Sequence, residues 1–178
     1  MSDERPGRLV VRDAVADDIA AVNSLANALI DTTTITWTDH HSTVGERMAW
    51  FEGQQQRGYP VLVAQDEAGD VIGYITFGDF RDIVKTPGYR FVVELTVHVS
   101  GDQWGQGTGR ALMVELFERA RSLGKTQMVA GVDAVNEASI RFHERFGFVE
   151  VARMPSVGFK HDRWLDLVLL QRAVEPPF

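Results

Sequence analysis

One segment of this chain carries polar side chains within an otherwise apolar run. From Phe91 to Val99, alternation places five apolar side chains on one face of a strand and Glu94, Thr96 and His98 on the other. A buried carboxylate at such a position has a raised pKa, which makes Glu94 a candidate general base. A glutamate on an open sheet face, meeting water or an arginine, fits the same pattern. We interpret the His98 side chain as a structural neighbour of Glu94.

A glycine-rich turn follows this strand and precedes a helical pattern. Gly105, Gly107 and Gly109 lie in the turn. Free N–H groups and the helix dipole attract an anion at a helix start, and glycine lets a pyrophosphate approach the backbone closely. The turn is not a dinucleotide fingerprint, since Arg110 occupies the third glycine position, and the chain has no Walker loop. A tight turn without a ligand remains the alternative.

Other residues could take part in proton transfer or substrate binding. Asn136, Ser139 and His143 share one stripe of a predicted helix, where His143 could exchange a proton or simply lie at the surface. Arg81 could pair bidentately with a carboxylate, or be a solvated surface arginine.

Aromatic and histidine side chains complete the set of candidates. Trp37 and Phe80 could wall an amine pocket, although buried aromatic residues commonly belong to the core. The histidines at 40, 41 and 161 lack a metal-binding spacing such as H-E-x-x-H, so we expect no metal.

The elements that position these residues alternate between strand and helix. Helices are predicted after Asp17, after the Thr43–Glu46 capping box, from the glycine turn to Gly124, and after Asn136. Strands are predicted at 9–11, 61–64, 71–77, 91–99, 128–132, 148–153 and 164–170. We expect one α/β domain at 8–173, with short tails at 1–7 and 174–178. Its sheet should be mixed, mostly antiparallel and twisted, with helices on both faces and a local β-α-β unit after residue 91.

Composition narrows the possible functions. The chain has 178 residues, a net charge of −7 and no cysteine. Its acidity argues against nucleic acid as a partner, and the lack of cysteine excludes a disulfide, a thiolate zinc site and a thiol nucleophile. No apolar run approaches the ~20 residues of a membrane span, and the N-terminus has no signal-peptide pattern. We therefore expect a cytoplasmic protein that does not bind membranes.

Two strings resemble motifs of the GNAT acetyltransferase superfamily. The string from Trp104 to Gly109 is similar to the coenzyme A motif R/Q-x-x-G-x-G/A, with Trp104 in place of Arg or Gln. The string from Asn136 to Phe148 is similar to N-x-x-[AS]-x-x-[FL]-[YH]-x-x-x-G-F. Two such motifs in order, about 30 residues apart, are more specific than either alone.

The chain resembles one group of this superfamily over residues 9 to 170. This group contains the phosphinothricin, methionine sulfoximine and methionine sulfone N-acetyltransferases. The resemblance rests on Ile30–Thr34, Phe80–Arg81, Tyr89–Arg90 with Glu94, and above all Gly158–Trp164. The loop 82–88 departs from the group, because it is longer and lacks a second arginine after Arg81.

The resemblance implies a GNAT-type fold and a set of site residues. Acetyl-CoA would be the acetyl donor, Glu94 the general base of a direct transfer, and His143 a proton donor or relay near the cofactor sulfur. Trp37, Phe80 and Arg81 would bind a small amino-acid analogue through its amine and acidic group, and the enzyme would be a homodimer. The residues implied for cofactor binding are Val97, His98, Val99, Trp104, Gly105, Gln106, Gly107, Thr108, Gly109, Arg110, Asn136 and Ser139.

Three other functions remain open at this level. The enzyme could acetylate another small amine, or a peptide N-terminus, which would require an open groove instead of a closed pocket. A catalytically silent acyl-CoA sensor would keep the turn without a working base. Deprotonating an α-amine of pKa ~8 costs about 1.4 kcal/mol at pH 7, against about 4.6 kcal/mol for a lysine side chain. A single carboxylate base therefore suits an α-amine better.

Overall fold

A seven-stranded sheet runs through the computed structural model, which describes residues 9–174. Its strands are β1 (Val10–Asp13), β2 (Val61–Gln65), β3 (Val71–Asp79), β4 (Val92–Val99), β5 (Gln127–Asp133), β6 (Val149–Lys160) and β7 (Arg163–Ala173). They follow the order β1-β2-β3-β4-β5-β7-β6. Within the described chain only β4 and β5 pair in parallel, and the other neighbours are antiparallel. The predicted N-terminal tail and residues 175–178 lie outside the described residues.

Helices cover both faces of the sheet. They are α1 (Ile19–Asn27), α2 (Val44–Gln56), α3 (Thr108–Ser122) and α4 (Glu137–Glu144). On one face α1 and α2 bury Ile19, Val22 and Phe51 against the sheet. On the other face α3 buries Leu112 and Leu116, and α4 packs beside it. The predicted α/β fold, with a mostly antiparallel sheet and a β4-α3-β5 unit, is confirmed.

The two predicted helix starts with capping signals are present. Thr43 accepts a hydrogen bond from the Glu46 backbone N–H, and the Glu46 carboxylate accepts one from the Thr43 N–H. Asn136 caps α4, since its Oδ1 accepts from the Ser139 N–H at 3.1 Å.

Several predicted boundaries and faces are wrong. The helix predicted to run to Gly124 ends at Ser122, and Leu123 after it is 44% exposed. Phe91 lies outside β4 and is exposed, because the ladder with β5 begins at Val92. The glycine turn is shorter than predicted, since α3 already begins at Thr108. β6 continues to Lys160 instead of ending near Arg153, because it pairs with β7 along that length through two register shifts.

The extended β6–β7 hairpin holds the loop at 31–38 in place. The indole of Trp37 packs directly against the backbone of Gly158. Lys160 is 2% exposed, and its ammonium donates to the carbonyl oxygens of Thr33 at 3.0 Å and Thr36 at 2.7 Å. Two residues of the Gly158–Trp164 string therefore fasten this loop to the sheet.

We expect Gly158→Ala to destabilise the protein. An added Cβ would overlap the six-membered ring of Trp37. Overpacking of this kind costs about 1–3 kcal/mol, and the melting temperature should fall by several degrees. Differential scanning calorimetry measures the melting temperature, and tryptophan fluorescence during denaturation measures the free energy of unfolding. In the control Gly88→Ala the new Cβ meets no atom within 4 Å, so an equal loss in both variants would contradict the role of the Trp37 contact.

Candidate active site

β4 separates from β5 halfway along its length. On one edge β4 pairs with β3 from Val93 to Val99. On the other edge the parallel ladder joins only residues 92–94 to 127–129. No other strand of residues 9–174 takes up this edge beyond Glu94. Alternate residues point their main-chain groups to this edge, so those of Leu95 and Val97 and the Val99 N–H remain for a ligand. The predicted cofactor residues Val97, His98 and Val99 lie on this stretch.

The glycine turn at the end of β4 has the conformation of an anion site. Gly105 has φ 77° and Gly107 φ 94°, the left-handed region that glycine adopts without strain. Gly107 is the N-cap of α3 and supplies no capping side chain. The first N–H groups of the helix, at Thr108, Gly109 and Arg110, therefore lack a side-chain cap and can bind a phosphate.

Neighbouring residues shape this turn. A Cβ on Gly109 would lie 3.2 Å from the Phe142 ring, so this glycine lets α4 approach the start of α3. The Gln106 amide donates to the Asp102 carbonyl at 2.7 Å. The exposed indole of Trp104 donates to the Val99 carbonyl at 2.9 Å. Trp104 therefore links the turn to the end of β4. Asn136 already uses its Oδ1 as a helix cap, which leaves its amide N–H groups for a cofactor.

A cleft of about 300 Å³ lies on the opposite face of the sheet, under α2. Register places Glu94 beside Gly78, Thr96 beside Thr76 and His98 beside Tyr74. All of these residues except His98 line the floor of the cleft. The residues that line it are Arg47, Trp50, Gln54, Arg57, Tyr74, Thr76, Phe77, Gly78, Asp79, Glu94 and Thr96.

Glu94 lies at the point where the two strands part. Burial raises the pKa of its carboxyl group, and the positive charge of Arg81 partly offsets this rise. A Cβ on Gly131 of β5 would lie 3.1 Å from Glu94 Oε1, so the glycine makes room for the carboxylate. The raised pKa expected from the sequence is confirmed in direction, whereas the catalytic role stays a prediction.

His98 is held neutral beneath the cleft. Its Nδ1 lies 3.0 Å from the Tyr74 hydroxyl. Burial, and then the charge of Arg47, lower the pKa of His98 to about 4. Burial also raises the pKa of Tyr74 to about 12. This pair is therefore uncharged near neutral pH, and Tyr74 is its member that lines the cleft.

His143 is more deeply buried than a surface histidine. The ring is 3% exposed and packs edge-on against Phe142 and Phe148. Its Nδ1 donates to the Ser139 carbonyl at 2.7 Å, and its Nε2 has no hydrogen-bond partner in the described chain. Burial lowers the pKa of His143, so the ring is neutral at pH 7. The predicted proton transfer therefore stays a prediction.

The three residues predicted to bind the substrate lie in two places. Arg81 stacks on Phe80, with 4.2 Å from its guanidinium carbon to the ring centre, and its charge acts on Glu94. Phe80 also packs against Tyr89, at 6.1 Å between ring centres. Trp37 lies instead on Gly158. None of the three is among the residues that line the Glu94 cleft.

The sequence interpretation missed the wall of the cleft. Arg47, Trp50, Gln54 and Arg57 all face it from α2 and the residue after it. Their spacing of i, i+3, i+7 and i+10 marks one stripe of a helix. This stripe was visible in the sequence, but its mixture of charged and aromatic residues does not resemble a core face.

Two features are absent from residues 9–174. No group of three or more histidine, cysteine, aspartate or glutamate side chains is placed to hold a metal ion there. In the same residues no helix is both long and apolar enough to cross a membrane.

Comparison with known proteins identifies the family. Residues 22–148 match the acetyltransferase (GNAT) family. The chain belongs to this family. It is therefore an acetyltransferase, and the splayed strands and the glycine turn are the features of this GNAT enzyme that surround its candidate site.

Similar proteins narrow the group. The chain is 41% identical to an L-methionine sulfoximine/L-methionine sulfone acetyltransferase of Pseudomonas paraeruginosa, over 93% of this chain and 95% of the relative. It is 35% identical to a phosphinothricin N-acetyltransferase of Alcaligenes faecalis, over 93% and 81%. A putative acetyltransferase of Salmonella typhimurium, solved with its cofactor acetyl-CoA, has a TM-score of 0.89 and 41% identity over 94% of both chains. The predictions of the group, of an N-acetyltransferase and of acetyl-CoA as donor are confirmed.

We expect Gly107→Ala to weaken acetyl-CoA binding. A Cβ there meets no atom within 4 Å, so the effect comes from φ 94° alone. Forcing an L-residue into this region costs about 1–2 kcal/mol, which corresponds to roughly a tenfold loss of affinity by titration calorimetry. Gly101→Ala, in the same loop without a positive φ, is the control. Unchanged affinity of the Gly107 variant would place the pyrophosphate elsewhere.

Proposed function

We propose that this enzyme transfers the acetyl group of acetyl-CoA to the α-amine of a small amino-acid analogue, with Glu94 as the general base. The analogue is of the methionine sulfone, methionine sulfoximine or phosphinothricin type. The observation that carries the proposal is the position of Glu94. Its carboxylate lines a cleft at the point where β4 leaves β5, and burial raises its pKa.

The substrate class is supported by the relatives and by the cleft. Both curated relatives act, by name, on amino-acid analogues with a free amine and an acidic group. A cleft of about 300 Å³ suits a small molecule. The protein has a net charge of −7, but its candidate site carries positive charge, since Arg47 and Arg57 line the cleft and the charge of Arg81 acts on Glu94. A peptide N-terminus would need an extended groove.

The reaction starts with the removal of a proton. Ammonium has no lone pair, so Glu94 takes one proton from the substrate, directly or through water. The amine nitrogen then attacks the thioester carbonyl carbon, and a C–N bond forms as the C–S bond breaks. The nitrogen loses a second proton, which the departing thiolate takes up. His143 remains the predicted relay for that proton.

Charge on the carbonyl oxygen requires hydrogen-bond donors. Backbone N–H groups of Val97 and Val99, which point to the edge of β4 that β5 leaves unpaired, are suited to this role. The first N–H groups of α3 would bind the pyrophosphate of the donor at the other end of the same strand. A single strand thus aligns the base, the oxyanion donors and the phosphate turn.

The predicted homodimer is supported by an apolar face on the β6–β7 hairpin. β6 is an edge strand, and edge strands with exposed apolar side chains are sites of association. A second copy of the chain is the occupant we propose. The exposed residues are Val149, Val151, Met154, Val157, Phe159 and Trp164.

We expect Glu94→Gln to bind acetyl-CoA normally and to lose turnover by about 10²–10⁴-fold at pH 7, the range for a positioned base. The loss should shrink at high pH, where free amine is plentiful. Steady-state thiol release across a pH series measures both effects. Wild-type turnover at pH 7 would remove Glu94 from the mechanism.

A second variant tests the same base through its pKa. A carboxylate base works only when ionised, so activity should rise as the pH rises through the pKa of Glu94. Arg81 lowers this pKa, so Arg81→Gln should move the acidic limb of the kcat profile to higher pH. No movement, or movement to lower pH, would mean that the limb belongs to another group.

The substrate assignment has its own test. A thiol-release assay with acetyl-CoA should show activity on methionine sulfone or methionine sulfoximine, with a high KM. The loop 82–88 lacks a second arginine, and a lost charged partner weakens binding by about 10- to 100-fold or more. Arg81→Ala should raise KM further. Acetylation of a polyamine or an aryl amine, but of no amino-acid analogue, would contradict the assignment and keep the enzyme class.

A further inference from the structure

A buried lysine lies beside the loop that carries Arg81. Lys125 is 8% exposed, and its ammonium donates to the Arg90 carbonyl at 2.8 Å and to the Tyr59 hydroxyl at 3.1 Å. The Tyr59 hydroxyl donates in turn to Asp79 Oδ1. One chain of hydrogen bonds therefore runs from a carboxylate, through a phenol and an ammonium, to a main-chain carbonyl.

This chain joins the two ends of the loop between β3 and β4, residues 80–91. Asp79 is the last residue of β3, and Arg90 lies two residues before the start of β4. The ladder between the two strands ends at Asp79. Beyond it the Phe80 N–H reaches the Val92 carbonyl at a long 3.4 Å. The side-chain network therefore supplements a weak main-chain closure of the loop.

The loop itself has little packing against the sheet. From residue 81 to 91 every residue is exposed apart from the half-buried Ile83. The Asp82 carboxylate accepts from the N–H groups of Val84 and Lys85, and these bonds determine the local shape of the loop. The position of the loop relative to the sheet therefore depends on how its ends are held.

Arg81 connects this loop to the candidate base. It follows Asp79 by two positions, stacks on the Phe80 ring at 4.2 Å and donates to the Phe80 carbonyl at 3.0 Å. Burial raises the pKa of Glu94, and the positive charge of Arg81 partly offsets this rise. The offset depends on the distance between the two charges, so it depends on where the loop lies.

Other charged groups face Glu94 from the elements around the cleft. Arg47 and Arg57 line the cleft from α2 and the residue after it, and Asp79 lines it from the end of β3. Among these charges, the one that acts on the pKa of Glu94 is that of Arg81. A change in the place of the loop should therefore be visible at Glu94.

We propose that Lys125 and Tyr59 are positioning residues for the reaction, because they hold the loop that places Arg81. The catalytic consequence rests on the proposed function, in which Glu94 is the base. Burying an ammonium is costly, and apolar side chains in place of a buried charged network commonly leave a protein as stable or more stable. The buried network is therefore explained by the geometry that it imposes on the loop ends.

The pKa of Glu94 is the readout, because NMR titration of its isotope-labelled carboxyl carbon follows this pKa without turnover. Glu94→Gln identifies the signal by removing it, and Arg81→Gln gives the reference by raising the pKa. Tyr59→Phe, which removes only a hydroxyl, and Lys125→Met should each raise it, but no further than Arg81→Gln does. In the Arg81→Gln background neither substitution should raise it again, since both act through Arg81. The acidic limb of the kcat profile should move to higher pH in the same order.

Controls separate positioning from net charge and from folding. Lys85→Met removes the same charge from an exposed lysine of the same loop that pairs with Asp82. It should leave the pKa of Glu94 unchanged, because an exposed ion pair contributes little. Tyr59→Phe keeps the net charge and the ring contact with Phe77, so it decides the question if Lys125→Met does not fold. Melting temperatures verify folding.

The outcomes are distinct. An unchanged pKa of Glu94 in Tyr59→Phe and Lys125→Met would overturn the inference even where stability falls, because the network would then be only structural. A rise that persists in the Arg81→Gln background would overturn it as well. If Glu94→Gln keeps wild-type turnover while the NMR titrations behave as expected, the proposed function loses its base, and the placement of Arg81 by the network is still supported.

Discussion

The parallel pairing of β4 with β5 stops at Glu94, and the rest of the site depends on this break. β5 remains paired with β7 over its whole length, whereas its ladder with β4 covers only residues 127–129. β4 remains paired with β3, so its other edge is held straight and open. A strand with one satisfied edge and one free edge presents backbone donors and acceptors at fixed positions, which suits an extended acyl carrier.

The same break determines where Glu94, the proposed base, lies. Glu94 is the last residue of the short ladder, and its side chain points to the face that α2 covers. Gly131 on β5 clears the space for its carboxylate, since a Cβ there would lie 3.1 Å from Glu94 Oε1. The two parts of the candidate site thus lie on opposite faces of the sheet, because α3 and the glycine turn pack on one face while the Glu94 cleft opens on the other.

Two residues of the group-specific string Gly158–Trp164 support the structure. Gly158 accommodates the ring of Trp37, and Lys160 donates to two carbonyls of the loop at 31–38. A second cavity of about 320 Å³ lies between this loop, the start of α4 and the hairpin turn. Asn136 lines this cavity, so the contacts of Gly158 and Lys160 with the loop also determine the surroundings of a predicted cofactor residue. A string that is specific to a group can therefore mark a positioning device as well as a binding residue.

Local signals in the sequence determined several elements of the fold and part of the candidate site. The period-two pattern around Glu94, the glycine turn and the caps at Thr43 and Asn136 depend on neighbours within a few residues, so a single chain reveals them. Tertiary structure alone decided the ends of the β4–β5 ladder, the burial of His143 and the place of Trp37 on Gly158. It also decided that Arg47 lines the same cleft as Glu94. These features join residues tens of positions apart, and only the packing of α2, α4 and the hairpin on the sheet brings them together.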